Sequence, residues 1–97
     1  MFRHTVVFNL KHAHGSLMEK AFLRDARIAL EKIPGVEKFE QLKQVSPTTE
    51  YRFGLSMEFA DRKAYDAYDR HPRHVSFVQD RWNREVDSFL EIDYEPL

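Results

Sequence analysis

Apolar and polar positions alternate through the first ten residues. Phe2, His4, Val6, Phe8 and Leu10 share one parity, and Arg3, Thr5, Val7, Asn9 and Lys11 the other. Successive strand side chains point to opposite faces, so this period of two predicts a half-buried strand. His12–Gly15 reads as a polar turn. Ser16, with Glu19 three residues on, forms a capping box that opens a helix. Met18, Phe22, Ala26, Ala29 and Ile33 then recur at helical spacing, in a stripe widened by Leu23 and Leu30. Pro34-Gly35 ends that helix, because proline cannot continue it and glycine suits the exit turn. A second strand is expected over about 36–45, where Val36, Phe39 and Leu42 stand at irregular intervals that predict a bulge. After the turn Ser46-Pro47-Thr48-Thr49, a third strand directs Tyr51, Phe53, Leu55, Met57 and Phe59 to the core. Asp61 caps a second helix that shows Ala64, Ala67 and Tyr68 inward and stops at Pro72. A further helical run over 73–83 places Val75, Val78 and Trp82 on one side, and a last strand is expected over 86–94.

The order β-α-β-β-α-β predicts an α+β domain of ferredoxin-like type, a four-stranded antiparallel sheet with its helices on one face. The uncovered face would carry Arg3, Thr5, Val7, Asn9, Arg52, Gly54, Ser56 and Glu58, joined in this reading by Phe89, Glu91 and Asp93. Such a face suits a solvated monomer or the polar interior of a homodimer, since antiparallel sheets tolerate water on one side.

Ninety-seven residues make a single domain over 1–97, and eight Phe, four Tyr and one Trp are enough to pack a core. Fifteen Lys+Arg against sixteen Asp+Glu leave a net charge of −1. That balance argues against nucleic acid as a partner, which needs a basic face. The absence of cysteine excludes disulfides, thiolate nucleophiles and Cys-ligated metal. No apolar stretch nears the roughly 20 residues of a membrane span, and no signal peptide is visible, so a cytoplasmic protein is expected.

Phe2-Arg3-His4-Thr5-Val6-Val7-Phe8, the helix exit Ile33-Pro34-Gly35-Val36, the run Tyr68-Asp69-Arg70-His71-Pro72-Arg73-His74-Val75-Ser76-Phe77 and the closing Ile92-Asp93-Tyr94 together resemble the stress-responsive dimeric α/β-barrel (Dabb) family. The resemblance implies a homodimer in which two open sheet faces pack into a barrel. It implies less about function: most members have no assigned reaction, some plant members are tied to stress or defence, and a few are polyketide cyclases. In the cyclases the second His of the His-Pro-x-His motif is a general base and a Tyr six residues earlier assists it. The matching positions are His74 and Tyr68, and the pocket His of the first strand matches His4. Ala26 and Phe53 replace residues that are polar in the cyclases, so an identical substrate is not implied.

These residues are a candidate catalytic pair, His74 and Tyr68, and a candidate ligand-binding set of His4, Phe8, Phe22, Ala26, Phe53, His71, Phe77 and Trp82. The structural alternative is that Tyr68 anchors the second helix to the sheet and that His71 and His74 cap the chain around Pro72. An imidazole beside a phenol in an apolar cleft can remove a proton α to a carbonyl and stabilise the enolate. Neither metal nor organic cofactor is expected: His12/His14 and His71/His74 each lack a third ligand fixed by sequence. The leading expectation is a homodimer that binds a small apolar molecule between helices and sheet. The alternatives are a cofactor-independent cyclase, isomerase or lyase, and a stress-protective structural dimer with a filled core.

Overall fold

The computed structural model describes residues 1–97. Its elements are β1 (Phe2–Leu10), α1 (Leu17–Leu30), β2 (Glu37–Lys43), β3 (Phe53–Phe59), α2 (Arg62–Arg70), α3 (Pro72–Phe77), a π-helical turn (Val78–Trp82), α4 (Asn83–Glu85) and β4 (Val86–Tyr94). The strands form one antiparallel sheet in the order β2-β3-β1-β4. This is the ferredoxin-like arrangement that the pattern predicts.

The local signals explain most element ends. The Ser16 side chain accepts the Glu19 N–H at 3.2 Å, and Glu19 turns back to accept the Gly15 N–H at 3.0 Å. That reciprocal cap buries Glu19 and leaves Met18 exposed, so the inward stripe of α1 begins at Phe22 and continues through Ala26 and Leu30. The bulge in β2 lies between Glu37 and Glu40, where Lys38 adopts φ 51° and its ammonium lies 3.0 Å from Glu58.

Along α2 the inward residues are Ala64, Tyr65 and Tyr68, while Ala67 is exposed. Tyr65 takes that place because its ring stacks on Phe2 at 4.6 Å. His71 ends α2 and caps α3, where its Nδ1 accepts the Arg73 N–H at 3.1 Å; Pro72 occupies the first turn, where no donor is missed. In the run that follows, Phe77 rather than Val75 is buried. The wider π turn lets Phe77, Val78 and Trp82 all bear on the same interior space.

One expectation about the sheet is corrected. Pairing of β1 with β4 sets His4 opposite Asp93, Val6 opposite Glu91 and Phe8 opposite Phe89, which puts Phe89, Glu91 and Asp93 on the helix-covered side. Leu90, Ile92 and Tyr94 therefore occupy the open face, 48%, 40% and 52% exposed, with Leu42 on the same face at the opposite edge of the sheet. An irregularity at the start of β4 causes this. Asn9 pairs with Ser88 but Leu10 pairs with Val86, so Asp87 is an extra residue that reverses the parity of the strand beyond it.

Candidate functional site

Between the helices and the sheet lies a cavity of about 230 Å³ with 14 lining residues, nine of them hydrophobic. His4 and Val6 of β1, Leu55 and Met57 of β3, and Phe89 and Glu91 of β4 form its floor. Tyr68 and Asp69 of α2, His74 and Phe77 of α3, and Val78, Trp82 and Asn83 form the opposite wall, with Leu30 from α1. Pro72 makes this possible, because the sharp change of direction after α2 folds His74 back against Tyr68.

The His74 ring lies 4.7 Å from that of Tyr68, centroid to centroid, and no hydrogen bond joins them. Nδ1 of His74 is 2.9 Å from the backbone oxygen of Asp69. A carbonyl can only accept, so Nδ1 carries the proton and Nε2 keeps its lone pair. Burial lowers the His74 pKa, outweighing the Asp69 carbonyl and carboxylate, which favour the charged form. Near pH 7 the ring is a neutral base.

Tyr68 is 2% exposed, and its hydroxyl has no partner within the chain, yet no fully buried polar side-chain atom is left unpaired. The hydroxyl therefore opens onto the cavity. Burial, reinforced by Tyr65, Asp69 and Glu91, pushes the phenol far above its ordinary pKa, which keeps the proton on the oxygen.

Beside this pair His4, 6% exposed, places Nδ1 2.6 Å from Asp93 Oδ1 and Nε2 4.0 Å from Glu91 Oε2. Nδ1 and Asp93 satisfy one another. His4, Glu91 and Asp93 are also the one group of three side chains close enough together to hold a metal ion. The alternation of β4 hid Glu91 and Asp93 from sequence reasoning by assigning them to the open face; the Ile92-Asp93-Tyr94 signature was the available signal.

Of the residues singled out in the sequence, the structure brings His74, Tyr68, His4, Phe77 and Trp82 together around the cavity. Phe8, Phe22 and Ala26, each fully buried, pack behind the wall and do not line it. Phe53 packs on Phe8 at 5.6 Å, away from the cavity, and the side chain of His71 is engaged as the α3 cap. His12 and His14 do not converge on a common point: His12 bonds Glu85 at 2.7 Å, and His14 lies 3.5 Å from Glu19.

A helix-covered antiparallel sheet enclosing an apolar cavity with an imidazole and a phenol in its wall defines a ferredoxin-like α/β domain with a candidate small-molecule site. The chain matches the model of the Stress responsive A/B Barrel Domain over residues 2–96, and it belongs to that family. It is similar to a Dabb family protein of ferredoxin-like fold from Mesorhizobium loti, with 62% identity, a TM-score of 0.98, and coverage of 99% of this chain and 96% of that one. A dimeric protein of unknown function from Bacteroides fragilis is 25% identical with a TM-score of 0.72, covering 98% and 95% of the two chains. The hydroxynitrile lyase of Passiflora edulis shares the fold at 12% identity, with a TM-score of 0.79 and coverage of 96% and 90%. No curated protein matches the chain. No helix is long and apolar enough to cross a membrane.

Proposed function

We propose that the protein is a homodimer that binds a small, largely apolar molecule in the cavity between helices and sheet. The observation that carries this reading is the cavity itself. About 230 Å³ of mostly apolar lining surrounds the unpartnered Tyr68 hydroxyl and the free Nε2 of His74, the mixture of bulk apolar wall and few polar anchors typical of ligand sites. Dimerisation rests on the open sheet face. Leu90, Ile92 and Tyr94 run exposed along β4 on that face, a row through Val7 and Gly54 leads from Leu90 to Leu42 on the far edge strand, and the Bacteroides fragilis relative is dimeric. A fragment screen by protein-observed NMR tests the binding. Shifts confined to Leu55, Met57, Phe77 and Trp82 support it, and a screen with no hits refutes it. Sedimentation of Ile92→Glu tests the dimer. The variant should sediment as a monomer at concentrations where the parent is dimeric, and an unchanged dimer would place the interface elsewhere.

A second reading is favoured by the tautomer of His74. With Nδ1–H held by Asp69, Nε2 can take a proton from a carbon α to a carbonyl, while the Tyr68 hydroxyl donates to the developing enolate oxygen. This chemistry needs neither metal nor organic cofactor. His74→Ala should then fold normally and lose turnover by about two to four orders of magnitude on a carbonyl substrate found by screening. Unchanged turnover would end this reading and leave the binding one intact.

A further inference from the structure

The charge of the cavity narrows the ligand. Its lining includes Asp69 and Glu91 but no Lys or Arg, and Asp93 stands just behind His4. Several polar atoms of the lining can accept a hydrogen bond, alongside the Trp82 indole N–H, which can only donate. Nε2 of His74 offers a lone pair, the Glu91 carboxylate lies 4.0 Å from the His4 ring and forms no hydrogen bond within the chain, and the buried Tyr68 hydroxyl can accept as well as donate. His4, Asp69 and Asn83, the last exposed at the rim, are further polar side chains of the lining. Four aromatic rings, Tyr68, Phe77, Trp82 and Phe89, complete the enclosure, and Trp82 and Phe89 meet edge to face at 5.6 Å.

We propose that the cavity selects an organic cation, a protonated amine on an apolar body, with the ammonium group at Glu91 and the body among Phe77, Trp82 and Phe89. This rests on the reading of the cavity as a small-molecule site and specifies its ligand class. An ammonium group supplies up to three donors to a site rich in acceptors and adds an attraction to the aromatic faces. A carboxylate ligand would meet two acidic side chains with no Lys or Arg to offset them, only the imidazoles of His4 and His74. The neighbourhood already shows a negative field: Tyr65, beside the cavity, has its phenol pKa raised by burial and then by Glu91, Asp93, Asp69 and Asp66 in turn. Glu91 itself is held above the ordinary carboxylate range by burial, with His4 opposing and Asp93 and Asp69 adding to the rise. A bare metal ion fits less well. His4 Nδ1 is already engaged with Asp93, and the space is large and mostly apolar.

The test uses three probes of similar size on the full chain near pH 7.5: phenethylamine, 2-phenylethanol and phenylacetate, titrated by NMR. Phenethylamine should bind about tenfold more tightly than 2-phenylethanol, with phenylacetate weakest, as expected for one partly desolvated charge contact with aromatic support. In Glu91→Gln, which keeps the size and the strand, the amine-to-alcohol ratio should fall to about threefold or less. Equal binding of amine and alcohol, or preference for phenylacetate, overturns the cation proposal and leaves the apolar-site reading standing. If no probe binds, both fall. A zinc titration that shifts His4 and Glu91 while phenethylamine does nothing would overturn the proposal in favour of a metal site.

Discussion

Phe22 is the residue on which the packing behind the cavity turns, and truncating it to alanine should be among the costliest single changes in the chain. Its side chain is 0% exposed and sits between Phe8, Phe77 and Trp82, with ring centroids at 6.1, 5.6 and 6.3 Å, while the Arg81 guanidinium lies 5.8 Å from its ring. Losing the transfer free energy of a buried phenyl accounts for about 1.5–3 kcal/mol. Neighbours held from the sheet, α3 and the π turn cannot all relax inward, so a residual cavity brings the total to about 3–5 kcal/mol. A small domain has only about 5–15 kcal/mol in all, so the variant should lose about a fifth or more of its stability and melt at least about 12 °C lower. Phe22→Leu, which refills most of the volume, should cost about 1–1.5 kcal/mol. The assay is urea unfolding followed by circular dichroism at one fixed protein concentration, because linkage to a dimer would otherwise move the midpoint. Trp82 fluorescence should shift to the red in the alanine variant. A loss below about 1 kcal/mol with an unchanged m-value would refute the reasoning, since it would mean that the wall behind the cavity is not close-packed.

Gly35 should tolerate no side chain. Its φ is +92°, while an added Cβ would meet Phe59 and Ala64 at ordinary distances of 3.7 and 3.8 Å, so Gly35→Ala should cost about 1–2 kcal/mol of backbone strain, read as a lower urea midpoint. A cost near zero would show that the turn rearranges. For His74 the pH dependence has a definite sign. Burial sets its folded pKa below the reference value of 6.5, so between those two values the unfolded chain binds a proton that the folded chain does not. Its contribution is fully present above 6.5 and is lost as pH falls through 6.5 towards the folded pKa. His74→Gln should therefore show a smaller fall in stability between about pH 7.5 and about pH 6 than the parent; equal falls would mean that His74 is not desolvated.

Where a pattern was strong and local, the sequence alone determined the outcome. The alternation of β1, the Ser16–Glu19 cap, the irregular spacing of β2 and the break at Pro72 each act through a few neighbouring residues, and each appears in the fold where expected; α1 ends at Leu30, ahead of the Pro34-Gly35 stop, and leaves Ile33 outside the helix. The motif Tyr68 to His74 likewise marked the wall of the cavity, because its turn geometry is built into the chain. What depended on partners distant in sequence was settled by tertiary structure. Tyr65 rather than Ala67 turned inward because Phe2 was there to stack on it. Phe8, Phe22 and Ala26 share the core stripes with cavity-lining residues, and periodicity cannot tell a filled layer from the wall of an open one. The face of β4 was decided by one extra residue, Asp87, seen in the pairing with β1. Because side chains alternate with a period of two, that single insertion moved Glu91 and Asp93 from the open face to the cavity side and placed Leu90, Ile92 and Tyr94 outside, giving the site its acidic character and the sheet its apolar surface.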